Sequence, residues 1–259
     1  MNDVSILPTE FKSEGELIRG HFVLPQGDGP FPGICKFHGL PGSSDQVSGI
    51  STTFARAGFA VLTFDFRGFR KSEGIFSLAG EIKDAHSAVS HLIESDYTLE
   101  NWVGVYGASY GGAVAICSAA EDSRIDVVGV RAPVYDPEAF ARSSMIRPAV
   151  EHILSMDEEI MHGIRDPVMR ESLLKRMIED GAKHNPLKAV SKIAPRPIFI
   201  ITGDIDVGID VAGVKRLFER ANDPKEFVVI EGADHVLSDS IAHATTVKTI
   251  LSWFDKQSP

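Results

Sequence analysis

The chain has 259 residues, enough for one large α/β domain or two small ones, and its 43% hydrophobic and 24% charged residues are those of an ordinary protein with a sizeable core. Its 26 basic and 36 acidic residues give a formal charge of −10, which disfavours nucleic acid or an anionic membrane as partner and favours a neutral substrate. Met1-Asn2-Asp3-Val4-Ser5-Ile6 lacks the basic and apolar regions of a secretory leader, and no apolar run approaches the 18 residues of a span, so a cytoplasmic protein is expected.

In chain order, residues 4–11 and 16–24 are expected to form strands joined by the polar turn Lys12-Ser13-Glu14-Gly15, an opening antiparallel hairpin. Gly33-Ile34-Cys35-Lys36-Phe37 follows as a strand that runs into His38-Gly39-Leu40-Pro41-Gly42-Ser43-Ser44, and a helix is expected from about Gln46 to Ala57. Phe59 to Phe64 is another apolar strand. It leads into the loop Asp65-Phe66-Arg67-Gly68-Phe69-Arg70-Lys71-Ser72-Glu73-Gly74 and a helix over 79–94. Trp102 to Tyr106, Ile125 to Ala132, Pro197 to Thr202 and Glu226 to Ile230 complete the strands, with helices over 113–120, 211–221 and 240–256. Continuous apolar strands alternating with helices imply a mainly parallel sheet covered on both faces, of eight strands in all.

Residues 137–194 interrupt that rhythm. Val150, Ile153, Leu154, Ile160, Met161 and Ile164 recur at helical spacing, as do Leu173, Leu174, Met177 and Ile178, so a helical cap inserted into a single domain over 1–259 is expected. All methionines but Met1 lie in it, and methionine suits adaptable apolar space. Met145, Met156 and Met161 are therefore candidate walls of a substrate pocket, against the alternative of a cap core of their own. Cys35 and Cys117 sit in apolar runs without metal-ligand spacing, and reduced core thiols are expected.

Gly107-Ala108-Ser109-Tyr110-Gly111-Gly112 lies between an apolar strand and a helix of small residues. A turn that tight demands small residues two positions either side of its centre, which makes Ser109 the candidate nucleophile. A serine hydroxyl needs a base and an orienting acid. Among nine histidines, His235 in Glu231-Gly232-Ala233-Asp234-His235 stands just beyond the last strand, the end at which active groups of parallel sheets gather. Gly203-Asp204-Ile205-Asp206 follows the preceding strand, and Asp206, further into the loop, is favoured over Asp204 as the acid, with Asp204 left to brace the loop. Backbone N–H groups of Tyr110 and Leu40 are the expected oxyanion donors. His38 is read as a structural residue of its loop.

The order Ser109, Asp206, His235, with His38-Gly39 upstream and Asp65-Phe66-Arg67-Gly68 between, resembles the α/β-hydrolase fold serine hydrolases over nearly the whole chain. Within them the chain is most similar to small carboxylesterases of the cinnamoyl or feruloyl esterase group. Arg70 departs from the pattern, since many relatives carry glycine there. The resemblance implies ester hydrolysis through an acyl-enzyme, on short-chain or aromatic esters, with neither metal nor organic cofactor. Thioesterase, acyltransferase and acyl-peptide hydrolase are the alternatives on the same residues, and a binding protein without catalysis is the alternative of a different class. The expected partner is a small ester, with no nucleic acid and no membrane, and a homodimer is left open.

Overall fold

The computed structural model describes residues 4–42, 46–156 and 160–259. Ser43 and Ser44, read above as the end of a loop, and the first three residues of the chain lie outside them.

Eight strands form one sheet in the order β1-β2-β4-β3-β5-β6-β7-β8. The opening hairpin, β1 (Ser5–Ser13) and β2 (Glu16–Leu24), is antiparallel, and β2 meets β4 (Ala60–Phe64) antiparallel as well. From β4 onward the neighbours β3 (Phe31–Phe37), β5 (Thr98–Ala108), β6 (Val127–Arg131), β7 (Ile198–Gly203) and β8 (Lys225–Ile230) are parallel. The mainly parallel sheet is the one that the strand and helix alternation implies, and its order is the α/β-hydrolase arrangement expected from the resemblance.

Because side chains alternate along a strand, the sheet feeds two cores. On one face Ile34, Val61, Tyr106 and Ile201 pack against Phe54 of α1 (Ile50–Arg56) and Ile250 and Phe254 of the C-terminal helix. On the other, Cys35, Leu62, Val105 and Ile200 pack against α2 (Leu78–Ile93) and α3 (Tyr110–Glu121). Each face is thus a continuous apolar layer, which is why the strands read as apolar runs without alternation.

Between β6 and β7 lie α4 (Pro137–Arg142), α5 (Ile146–Ser155), α6 (Pro167–Lys183), α7 (Pro186–Ala189) and a 3-10 turn, Val190–Lys192. Three of these helices begin with proline at their first residue, preceded by Asp136, Asp166 or Asn185, whose side chains accept first-turn N–H groups. That pairing satisfies helix-end donors with residues that cannot continue a helix backwards. Helices α8 (Val211–Arg220) and α9 (Ser240–Gln257) follow β7 and β8, and each is capped by an aspartate in the same way.

One helix is shorter than its sequence suggests. The helix expected from Gln46 begins at Ile50, because Lys36 Nζ and Ser51 Oγ both donate to the Gln46 carbonyl and hold it in a loop. Among the described residues, no helix is long and apolar enough to cross a membrane.

Candidate active site

Strand β5 ends at Ala108 and α3 begins at Tyr110, so a single residue, Ser109, makes the whole turn. It does so at φ 55° and ψ −121°, a conformation that costs a non-glycine residue on the order of 1–3 kcal/mol and persists only where its surroundings over-determine it. Those surroundings are visible. A Cβ on Gly107 would lie 2.1 Å from the Gly111 carbonyl oxygen, and one on Gly111 would lie 2.4 Å from that of His38. The glycines therefore allow strand, helix and the β3 loop to close around the serine. Ser109 N–H donates to the Arg131 carbonyl (2.9 Å) and Val134 N–H to the Ser109 carbonyl (2.9 Å), fixing its backbone to the end of β6.

The hydroxyl of Ser109 lies 3.0 Å from His235 Nε2, and His235 Nδ1 lies 2.8 Å from Asp206 Oδ2. The side chain of Asp206 is fully buried. Its second oxygen accepts the N–H groups of Gly208 and Ile209, both at 2.8 Å, so every direction of the carboxylate is committed. Asp204 is engaged elsewhere: its Oδ1 accepts Gly232 N–H at 2.7 Å and ties the β7 loop to the β8 turn. Three residues from the ends of β5, β7 and β8, 126 positions apart at most, thus form one hydrogen-bonded row.

The β3 loop lies against this row. Gly39 backs onto Ser109, with its notional Cβ 3.2 Å from the Ser109 Cβ. Leu40, next in the chain, has no acceptor for its N–H among the described residues, and the Tyr110 N–H is the first of α3, where helix geometry provides no internal partner. His38 shapes the loop. Its Nδ1 donates to the Gly39 carbonyl (2.7 Å) and its Nε2 accepts Phe66 N–H (3.0 Å), which fixes the neutral tautomer. Burial drives its pKa down to about 3, assisted by the charges of Arg70 and Lys36. A histidine that stays neutral and doubly bonded cannot serve as a proton shuttle.

Two site-forming residues escape the sequence patterns. Arg70 adopts φ 47°, in the left-handed region that favours glycine, and its guanidinium reaches Asp65 (3.0 Å) and the carbonyls of Gly42 and Pro41. It therefore braces the β3 loop. Arg131, the basic residue that closes the apolar run of β6, donates to the His235 carbonyl at 2.8 Å. A single charge at the end of a buried strand was the signal available for it.

A cavity of about 550 Å³ opens at Ser109, His235, Leu40 and Arg131 and runs between α1 and α9. The methionines divide. Met145 lines a neighbouring cavity of about 240 Å³, shared with Gly208 and Ile209 of the Asp206 loop. Met156 packs half-buried on the main core, and Met161 is 2% exposed within it, bridged to Phe69. The two cysteines are buried free thiols, and burial pushes Cys117 up to about 12. No group of three His, Cys, Asp or Glu side chains among the described residues is placed to hold a metal ion.

Against known proteins, residues 14–150, more than half of the chain, match the model of the family described as X-Pro dipeptidyl-peptidase (S15 family). The quorum-quenching protein AidA of Acinetobacter baumannii (strain MDR-ZJ06) is 27% identical over 147 residues, 55% of this chain and 48% of that protein, so the match spans about half its length. The polyketide transferase grgF of Penicillium sp is 24% identical over 219 residues, 72% of this chain and 74% of that one. Among solved structures, Est1E from Butyrivibrio proteoclasticus with ferulic acid bound superposes with a TM-score of 0.76 at 17% identity, covering 96% of this chain and 98% of that one. At that identity the likeness speaks for the fold, and the family match for the lineage. The chain belongs to the X-Pro dipeptidyl-peptidase (S15) family, a hydrolase family, and has the α/β-hydrolase fold.

Proposed function

We propose that the protein is a serine carboxylesterase acting on short-chain or aromatic esters through an acyl-enzyme. The observation that carries this reading is the row Ser109 Oγ, His235 Nε2, His235 Nδ1, Asp206 Oδ2, with spacings of 3.0 and 2.8 Å in a turn held at φ 55°. In the proposed reaction Ser109 Oγ attacks the ester carbonyl carbon while its proton passes to His235 Nε2. Asp206, locked by two backbone N–H groups, accepts the Nδ1 hydrogen and stabilises the imidazolium. The negative charge that develops on the carbonyl oxygen is met by the N–H groups of Leu40 and Tyr110, a contribution of about 2.7–4 kcal/mol for each donor of this kind. The imidazolium then returns the proton to the departing alkoxide, and a water activated by the same nitrogen cleaves the acyl-serine. The cavity at Ser109 provides room for an ester, and the cavity at Met145 borders the Asp206 loop. Est1E, which shares the fold, is described with ferulic acid bound, which supports an aromatic ester as one of the classes to test.

A second reading, cleavage of peptides behind an N-terminal dipeptide, is favoured by the family description. A peptide amino terminus is a cation and calls for a carboxylate in the site. No aspartate or glutamate lines the cavity at Ser109 among the described residues, which favours the ester.

The test is a fluorophosphonate probe with mapping of the labelled residue, alongside p-nitrophenyl acetate, butyrate and octanoate, methyl ferulate and alanyl-prolyl-p-nitroanilide. Labelling at Ser109 with ester turnover is the expected result. Faster turnover of the anilide would transfer the assignment to peptides, and an unlabelled Ser109 would remove the nucleophile.

A further inference from the structure

Among the described residues, the charged side chains that line the cavity at Ser109 are opposite in sign to the net charge of the chain. The chain as a whole carries a formal −10, yet among the described residues lining this cavity stand Lys36, Arg131, His152 and His243, with no aspartate or glutamate. Lys36 and Arg131 reach it from β3 and β6, the two strands that flank β5, on one face of the sheet: Lys36 pairs with Tyr106 between β3 and β5, and Arg131 with Ala108 between β5 and β6. Lys36 stands two residues before His38, and Arg131, the last residue of β6, is in register with Ala108, which precedes Ser109. Their position is thus set by the same register that sets the serine.

The two cations are anchored rather than loose. Lys36 Nζ donates to the Gln46 carbonyl (3.2 Å) and Gln46 Oε1 (2.7 Å). Arg131 donates to the His235 carbonyl. Some half-buried guanidinium groups of the molecule are met by carboxylates, Arg67 by Asp84 and Glu14 and Arg70 by Asp65, and others by backbone carbonyls alone, as Arg196 is. Arg131 has no carboxylate within ion-pair distance among the described residues, and it carries more N–H donors than one carbonyl can use. A planar guanidinium that is half-buried, held by the His235 carbonyl and the Tyr106 hydroxyl and bordering the cavity of the proposed nucleophile still has donors suited to a carboxylate. The positive field reaches the loop beside it, where Arg70 and Lys36 add to the burial that lowers the pKa of His38.

We propose that a subsite at Arg131 selects esters that carry a carboxylate, such as a monoester of a dicarboxylic acid or an acylated hydroxybenzoate. The inference rests on the reading of the protein as a Ser109 esterase and adds to it the charge of the substrate. It also reverses, for the site, the preference for neutral substrates that the net charge of the chain suggests. Fields in a cleft are set by the groups that line it, and charges beyond a Debye length of roughly 8–10 Å are screened.

The experiment compares kcat/KM for two matched pairs on the full chain: mono-4-nitrophenyl adipate against 4-nitrophenyl hexanoate, and 3-acetoxybenzoate against its methyl ester. The expected result is a preference for the anionic ester of about tenfold in one pair, the size of one charge-assisted contact. The ratio should fall as salt is raised, fall towards one in Arg131→Gln, and be partly kept in Arg131→Lys. Using the ratio removes any general loss that follows from releasing the His235 carbonyl, and the salt series on the unaltered protein stands if a variant fails to fold. Turnover of the neutral esters with ratios at or below one in both pairs overturns the subsite. A preference that survives Arg131→Gln overturns its assignment to Arg131. Failure to cleave any of the four esters, with Ser109 unlabelled by fluorophosphonate, is instead the failure of the esterase reading.

Discussion

At the scale of single residues, the proposal makes the Ser109 row a unit. Ser109→Ala and His235→Ala are each expected to lower kcat for p-nitrophenyl butyrate by more than about 10⁴, with the double variant no worse than either, because members of such a unit are not additive. Turnover within tenfold of the parent in either variant would remove that residue from the mechanism. The two aspartates of the β7 loop differ in what they hold. Asp206 contacts His235 and two backbone N–H groups, while Asp204 contacts only Gly232. Asp206→Asn should therefore lower kcat by about 10³–10⁴, since an amide there favours the wrong imidazole tautomer, as in the serine proteases. Asp204→Asn should change kcat by less than about threefold and show its effect in the melting temperature. Equal losses in kcat from the two would count against Asp206 as the orienting acid.

At the scale of elements, the turn from β5 into α3 and the helices between β6 and β7 make separable predictions. The Gly111 Cα faces the carbonyls of Phe37 and His38 so closely that Gly111→Ala must displace the β3 loop. A cost of about 1–3 kcal/mol is expected from such overpacking. Urea unfolding measures it, and the loss of ester turnover should exceed what that change in stability explains, because Leu40 belongs to the displaced loop. The methionines separate by burial. Met161→Ala removes a side chain that is 2% exposed and should destabilise by about 2–5 kcal/mol, with equal proportional losses on acetate, butyrate and octanoate esters. Met145→Ala, at the cavity beside Gly208, should instead shift the preferred chain length while leaving acetate turnover within about twofold. If Met145→Ala lowers all three esters alike, Met145 is packing and not a pocket wall.

At the scale of the whole molecule, the helices between β6 and β7 are tied to the sheet domain through polar contacts. Arg70 N–H donates to the Ile160 carbonyl (2.9 Å), His162 N–H to that of Gly68 (2.8 Å), and Asp180 of α6 accepts Ala79 N–H at the start of α2 (3.2 Å). Next to Ala79 the carboxyl of Glu81 is buried with Oε2 lacking a partner among the described residues, and the Tyr110 hydroxyl is in the same condition. Burial, then the charges of Asp84 and Asp180, hold the Glu81 pKa well above its ordinary 4.5, against the opposing pull of Arg67. The folded protein thus holds a proton on Glu81 that the unfolded chain releases near 4.5. A pKa raised by folding contributes most to stability below 4.5, and that contribution is lost as pH rises through the folded value. Glu81→Gln, the shape of the protonated acid, should accordingly raise Tm at pH 8 by a few degrees, with ~1 kcal/mol worth about 2–4 °C in a chain of this size. At pH 4 the gain should vanish. A gain independent of pH, or a loss at pH 8, would show that Glu81 is ionised in the fold.

The sequence by itself determined the order and faces of the elements. Strands buried on both sides must be apolar throughout, so their bounds in the sequence agree with the sheet to within a few residues, Thr98–Ala108 and Phe31–Phe37 extending beyond their apolar centres. It also narrowed the site to Ser109, His235 and two aspartates, because a one-residue turn leaves a glycine signature and loops at strand carboxyl ends have few chemical groups to offer. What it left open is what depends on direction rather than identity. Asp204 and Asp206 differ by two positions in one loop, and only the path of β7 into α8 decides which carboxylate meets His235 and which meets Gly232. The methionines share a composition signal, yet Met161 is buried where its backbone pairs with Phe69 while Met145 reaches a cavity, since helical spacing says that a side chain is covered but not by what. Arg70 and Arg131 carry no motif at all. Their contacts run to backbone carbonyls brought together by folding, and a carbonyl has no letter in the sequence.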